Sequence, residues 1–578
     1  MKFLSLSLLF LFITFSAVSQ IKPENLPLPS EAQLRWHNME LTMFVHFGPA
    51  TWQDHEYDDL STPLSRINPT KLSTDQWAKV AQSYGAKMII FVAKHTGGFC
   101  WWQTNTTEYG VKNTPWKNGE GDVMKDLAAS CKKYGLKLGV YLSPEDRYLK
   151  VAMGGKARDE KFQKEYETIY KTQLKELLTQ YGPIHEVWVD GSLVFSITDI
   201  IKQYAPEAVI LQSSAATIRW VGNEMGFAPY PAWNAVRKAD AQSGNSTSSH
   251  SDPNGDTWLP IEVDVSLRRP NWFWTTKNES LVLPLEELVK LYYFSVGRGA
   301  VFLINVSPDT TGLIPQKDVE RLAEFGNEIK KRFGNPLAET KGEGEIIDLN
   351  VPKKTVIDHI TIMEDIAYGE RVRDFKVQVL TNQKQWKTVF EGTSIGHKLI
   401  IQFPEETISK VRLNVNSSIG KPKIKSLKAY YTGTPLIDLP VVKDNWNIRN
   451  VGEWDYKSIP EKVNLKLNLS EYLKDPQAYE VAFVFQGEDS KKPQFSYDWS
   501  ESGLFLDNLS NDQRLKIIEK HLIFDHVNAD QYLLKSERFP DRVHFNLTGI
   551  APSLEITVTL DVPKTFKNGK IQAFLLRK

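Results

Sequence analysis

A carboxylate closes a short apolar run in His185-Glu186-Val187-Trp188-Val189-Asp190-Gly191. Burying an ionised carboxyl costs several kcal/mol unless it is paired or does chemistry, so an aspartate at the end of a buried strand needs a reason. Three other apolar runs finish in the same manner: MFVHFG at 43–48 on His46, MIIFVAKH at 88–95 on His95, and LGVYLS at 138–143 near Tyr141. In a parallel barrel the C-terminal strand ends face one cleft, and catalytic groups gather there. Each histidine taken alone reads more readily as a satisfied core residue, and Tyr141 alone as a packed phenol; four polar strand ends together point to a site centred on Asp190. A zinc site of His46, His95 and Asp190 fits the ligand types. It lacks the close spacing of a helix-borne histidine pair and ranks second.

The elements that would position these groups follow from periodicity. Continuous β-branched runs at 43–48, 88–95, 138–143, 185–191, 208–213 and 300–306 predict strands covered on both faces. Stretches of helical length at 74–84, 122–134 and 158–181 lie between them. Strict strand and helix alternation from about 40 to 330 predicts an α/β fold, a parallel (β/α)8-like barrel, with a doubly wound sheet as the alternative. The domain plan is a leader at 1–19, the barrel at 20–334, an antiparallel β-sandwich at 335–434 and a further β-rich module at 435–578 with one helix near 510–521. Trp386, Tyr430 and Tyr431 are candidate carbohydrate contacts in the sandwich, with structural roles favoured; Trp446, Trp454 and Trp499 in the last module carry no specific inference.

Composition narrows the ligand class. Lys plus Arg and Asp plus Glu are both 70, so no net field draws nucleic acid or an anionic membrane, and a neutral solvated ligand is easier to accommodate. The 16 Trp and 21 Tyr supply flat faces suited to the C–H faces of sugars. The N-terminal MKFLSLSLLFLFITFSAVSQ has a lysine, an apolar run of signal-peptide length and small residues before Gln20, which predicts export to the periplasm or medium. No other stretch has membrane-spanning length, so no membrane span is expected. Two lone thiols, Cys100 and Cys131, cannot build a metal site, and a disulfide between them stays open.

Several motifs together carry a resemblance. MFVHFG with HEYDD after it, AKHTGGFCWW, GVYLSPEDR, EVWVDGS, IRWVGNE, WLPIEVDVSLR and GRGAVFLINVSPDTTGLIP occur in this order. Over about residues 30–335 this resembles the α-L-fucosidases of glycoside hydrolase family 29. The RWVGNE block resembles the subgroup selective for branched α-1,3 and α-1,4 fucosyl linkages, and 335–433 resembles a discoidin-like sandwich.

The resemblance implies a retaining glycosidase that needs no metal or other cofactor. Asp190 matches the nucleophile and Glu224 the acid/base, with Glu262 as the alternative for the latter. Retention uses two carboxyls about 5–5.5 Å apart, the acid starting protonated and the nucleophile ionised. His46, Glu56, His95, Tyr141 and Arg219 resemble groups that hydrogen-bond fucose hydroxyls, while Trp52, Trp220 and Trp272 suit its apolar edge and C6 methyl. Two departures stand out: KHTGGF, with Thr96 and Gly97, replaces the family's KHHDGF, and YLSPEDR, with Glu145, replaces YLSPWDR. Both carboxylates remain, so hydrolysis of fucosylated glycans is the expected function. The alternatives are a catalytically silent fucose-binding protein, supported by the altered KHTGGF block, and the same mechanism on a related sugar such as an α-L-galactoside.

Overall fold

The computed structural model describes residues 22–437, except 192, 223, 225 and 239–250, together with separate β-strands between 448 and 577. Eight parallel strands form the first sheet: β1 Leu41–Val45, β2 Met88–Lys94, β3 Lys137–Leu142, β4 Ile184–Trp188, β5 Val209–Leu211, β6 Arg219–Trp220, β7 Ile261–Ser266 and β8 Val301–Asn305. They run in the order β5-β4-β3-β2-β1-β8-β7-β6, and a parallel bridge between Leu211 and Ile218 brings the two edges together. The result is a barrel.

Alternate side chains along each strand divide into two cores. Ile89, Phe91, Val187 and Val263 face outward and pack with the surrounding helices, while Phe44, Ile90, Val92, Tyr141, Trp188 and Leu303 fill the barrel interior. The helices begin on polar caps. Ser73 precedes Thr74–Ser83, Asp122 precedes Val123–Tyr134 and Asp159 precedes Glu160–Gln180, each side chain accepting from a backbone N–H of the first turn.

The expected alternation breaks after β5. Only a short turn separates β5 from β6, and no helix occurs between β6 and β7 among the described residues. Neither β6 nor β7 is among the strands expected from the apolar runs. The former is two residues long, and the latter, Ile261-Glu262-Val263-Asp264-Val265-Ser266, turns its polar residues inward, so it never presents a continuous apolar run.

The second sheet is antiparallel: β9 Ala338–Glu343, β10 Ile346–Glu364, β11 Val372–Thr381, β12 Trp386–Gly392, β13 Leu399–Ser418 and β14 Lys423–Tyr430, in the order β9-β14-β10-β13-β11-β12. Register breaks between Asn350 and Thr355 and between Ile357 and His359 bend the long strands. Leu349, Ile360, Phe375, Leu413 and Leu427 then share one core. Tyr430 is buried against Phe333 and is structural, whereas Trp386 and Tyr431 are exposed, the guanidinium of Arg412 lying 4.5 Å over the Trp386 ring.

Beyond the sheet, Ile448–Tyr456 and Tyr479–Gln486 flank Gly569–Arg577, and Trp454 lies on the first of these strands. The leader at 1–19, the helix expected near 510–521, Trp446 and Trp499 lie outside the described residues. Among the described residues no helix is long and apolar enough to cross a membrane.

Candidate active site

Glu186 and Trp188 of β4 point into the barrel; two residues further on, the same parity turns Asp190 toward the C-terminal mouth. Gly191 (φ 80°) takes the chain away at once, its N–H donating to the Gln212 side chain. The strand therefore ends on Asp190 because that carboxylate opens into the cleft. Asp190 is solvent-exposed but ringed by protein, and this loss of hydration raises its pKa above the usual carboxylate value. A 2.8 Å hydrogen bond from the Tyr141 hydroxyl at the end of β3 opposes the rise and favours the ionised form.

A second group of carboxyls faces the same space. The Trp272 indole N–H donates to Glu224 Oε2 at 3.1 Å, and its backbone N–H donates to Glu56 Oε1 at 2.8 Å. Asn271 adds a 3.3 Å bond to Glu56 Oε2. Burial, helped by the nearby charge of Glu224, pushes Glu56 up to about 7 despite these donors. Asp264, on β7, receives the Trp220 indole N–H at 2.8 Å; burial and then Glu224 hold its pKa well above the ordinary range. The Tyr57 phenol is raised by lost hydration and then by Glu224, Glu56 and Asp190, so the charges of all three converge on it. Like charges this close disfavour full ionisation, so the group keeps a proton to higher pH than an isolated carboxyl would.

The histidines line the floor. Asn305 at the end of β8 donates through Nδ2 to the Trp272 carbonyl, which fixes its amide orientation and leaves Oδ1 to accept from His46 Nδ1 at 2.8 Å. His46 therefore carries its hydrogen on Nδ1 and offers Nε2 as an acceptor. Burial pulls its pKa down to about 3, so it remains neutral. His95 stacks on Tyr141 at 5.7 Å, is tilted edge-on to His46 at 5.6 Å, and is kept neutral first by burial and then by the nearness of His46 and Arg147. Beside it lies a small, largely aromatic recess lined by Phe47, Phe99, Trp101 and Phe273, with the Asp58 carboxylate and His95 itself on its wall.

Two expected residues sit elsewhere, and a third, Trp52, backs the recess. Arg219, expected as a sugar ligand, points outward from β6 and is fully buried. Its Nε donates to the Leu259 carbonyl at 2.9 Å and its Nη2 to the Trp233 carbonyl. Burial lowers its pKa to about 10, opposed by Glu370, and it remains charged. Glu262, the alternative acid/base, is fully buried inside the barrel below the cleft, where it accepts the Trp188 indole N–H at 2.7 Å and pairs with Glu186. Burial and the Glu186 charge raise its pKa far above the usual value. Trp52 packs against Phe47 and Trp101 in the aromatic wall. Cys100 and Cys131 are both buried free thiols, so no disulfide joins them. Among the described residues no three metal-ligating side chains cluster.

The two departures have visible consequences. Thr96 Oγ1 lies 3.2 Å from His95 Nδ1. A Cβ on Gly97 would stand 2.2 Å from Asp58 Oδ2, so Asp58 occupies the space that a side chain at 97 would take. Asp58 is held there by Tyr109, Gln53 and the backbone N–H of Leu60. Glu145 accepts from Arg147 at 3.0 Å, and that guanidinium lies 5.1 Å over the Tyr57 ring. Asp264, Asn305 and Phe273 are site residues the sequence alone does not single out; the inward parity of β7 and the asparagine ending the FLIN run were the available signals for the first two.

Comparisons with known proteins place the chain in a family. The α-L-fucosidase family model matches residues 11–332. The chain is 33% identical over 484 residues to α-L-fucosidase 1 of Arabidopsis thaliana, covering 74% of this chain and 94% of that protein. A glycoside hydrolase 29 family member from an unknown rumen bacterium superposes with a TM-score of 0.64 at 28% identity, covering 95% of this chain and 96% of the other. A Ruminococcus gnavus glycoside hydrolase 29 fucosidase in complex with fucose superposes with a TM-score of 0.62 at 27% identity, covering 70% and 95%. The family model spans more than half of the chain and the plant relative is covered almost in full, so the chain belongs to the α-L-fucosidase family of glycoside hydrolases.

Proposed function

We propose that this α-L-fucosidase is a retaining exo-enzyme that removes α-1,3- and α-1,4-linked L-fucose from oligosaccharides or glycoconjugates after export. The observation that carries the mechanism is the pairing of a phenol-bound carboxylate, Asp190, with a tryptophan-held one, Glu224, among groups whose mutual repulsion retains a proton. An Asp190 oxygen attacks the anomeric carbon as the glycosidic C–O bond breaks, and the leaving oxygen takes the Glu224 proton. The resulting glycosyl ester is opened by a water that gives its proton back to Glu224, so fucose leaves with its original anomeric configuration.

The surrounding residues orient the sugar. The Nε2 of neutral His46 accepts from a hydroxyl, Glu56 and His95 bind others, and Trp272 and Trp220 cover the apolar edge. The recess beside His95 takes the C6 methyl. The RWVGNE block supports the branched-linkage preference, and the composition of the first 19 residues supports export.

The test is fucose release by the purified mature chain from 4-nitrophenyl α-L-fucoside, 2′-fucosyllactose, 3-fucosyllactose and the Lewis a and Lewis x trisaccharides. Release from the last three, with little from the first two, is the expected result. Silence across the panel with retained fucose binding would favour the non-catalytic reading.

A further inference from the structure

The connection from β6 to β7 carries Glu224, and it is fastened to the barrel and the second sheet. On its N-terminal side Val221 N–H donates to the Glu262 carbonyl at 3.0 Å. On its C-terminal side Ala228 N–H donates to the Phe294 carbonyl at 2.8 Å. From there the chain runs onto the antiparallel sheet. Tyr230 Oη donates to the Ser394 carbonyl at 2.9 Å, and Ser394 Oγ donates to the Ala232 carbonyl at 2.8 Å. The Arg373 guanidinium lies 4.5 Å over the Trp233 ring and donates to the Pro253 carbonyl at 2.7 Å. Glu370 accepts twice from Asn234, at 3.0 Å from the backbone N–H and 2.7 Å from the side chain.

The ends of this connection meet at one buried cation. Arg219, at the start of the segment that leads to Glu224, donates to the carbonyls of Trp233 and Leu259, which belong to the outgoing and returning parts of the same connection. The carboxylate that attracts Arg219 is Glu370, in the turn before β11 of the second sheet. A buried charge that loses a counter-charge is destabilised, so the sheet supports the knot through Glu370.

We propose that Glu370 is a positioning residue for catalysis: by binding Asn234 and balancing Arg219, it sets the placement of the loop that presents Glu224. The second sheet is thereby a working part of the active site and not a separate appendage. The inference rests on the acid/base reading of Glu224, and the experiment separates the two. General acid catalysis matters for a poor leaving group and hardly at all for fluoride. A misplaced acid therefore lowers kcat/KM on 3-fucosyllactose while sparing α-L-fucosyl fluoride, whereas general destabilisation lowers both alike.

The measurement is the ratio of kcat/KM for these two substrates in the wild type, Glu370→Gln, Ser394→Ala and Glu224→Ala, with thermal melting to confirm that each is folded. Glu370→Gln is expected to lose about tenfold to hundredfold on 3-fucosyllactose and less than about threefold on the fluoride. Ser394→Ala, which removes a single hydroxyl donor to the same loop, is expected to shift the ratio in the same direction by less, and it decides the matter if Glu370→Gln does not fold. Equal losses on both substrates, or no loss, in the presence of a marked Glu224→Ala split would overturn the positioning role and leave Glu224 as the acid. Absence of that split in Glu224→Ala itself would overturn both.

Discussion

The Tyr141 hydroxyl donates to Asp190 Oδ2 at 2.8 Å, joining the ends of β3 and β4 across the mouth of the barrel. This donor favours the ionised carboxylate against the loss of hydration that raises its pKa. Tyr141→Phe removes it, so the Asp190 pKa rises further. The acid limb of the kcat/KM profile should move to higher pH, and kcat at the optimum should fall about tenfold or more, in line with a hydrogen bond to a charged group. A pH–rate series on a fucosyl substrate checks both.

The raised pKa of Asp190 means that the fold disfavours its charge. A carboxyl whose folded pKa exceeds its unfolded value of 3.8 destabilises the fold once pH passes above that unfolded value. Asp190→Asn should therefore abolish turnover while leaving the melting temperature at pH 7 unchanged or higher. A drop of many degrees would show Asp190 to be a turn residue needed for folding.

Asp58 and Gly97 should be coupled. A methyl at 97 would overlap the Asp58 carboxylate, displacing the strand end that holds His95. Gly97→Ala should cost about tenfold to hundredfold in kcat/KM, and adding Asp58→Ala should recover part of the loss. A double-mutant cycle with additive effects would contradict the steric account.

His37 and His397 stack at 4.3 Å between the barrel and the second sheet, both buried, and each lacks a hydrogen-bond partner at Nδ1. Their Nε2 atoms donate to the Gly299 carbonyl and Asn38 Oδ1. Burial, opposed by the bond to the Gly299 carbonyl and aided by Lys425, lowers His37 to about 4; His397 is depressed by burial, then by His37, Lys398 and Lys425. A base with a depressed folded pKa stabilises the fold fully above its unfolded value of 6.5, and that stability is lost as pH falls from 6.5 toward 4. The His37 share is about 3 kcal/mol. Chemical denaturation between pH 7 and 4.5 should show a steep loss in the wild type and a shallower one in His397→Asn.

Particular residues show what the sequence made legible. Asp190 was visible because the apolar Val187-Trp188-Val189 at the end of β4 stops on a carboxylate. The helices at 74–83, 123–134 and 160–180 were visible through their period and caps. Arg219 was expected at the sugar from its place in the RWVGNE motif, but on a two-residue strand its side chain turns outward while that of Trp220 turns inward. Asp264 escaped because β7 inverts the usual pattern. The meeting of Glu56 with Trp272, 216 residues apart, is a product of tertiary folding that no local spacing announces.

The most direct test of the Asp190 and Glu224 assignment is azide rescue of Glu224→Ala on α-L-fucosyl fluoride, whose leaving group needs no proton. With the acid/base gone, azide should enter the vacant position, attack the fucosyl ester of Asp190 and restore turnover, giving α-L-fucosyl azide with retained configuration. No rescue of Glu224→Ala together with rescue of Glu262→Ala, or a product of inverted configuration, would contradict the account.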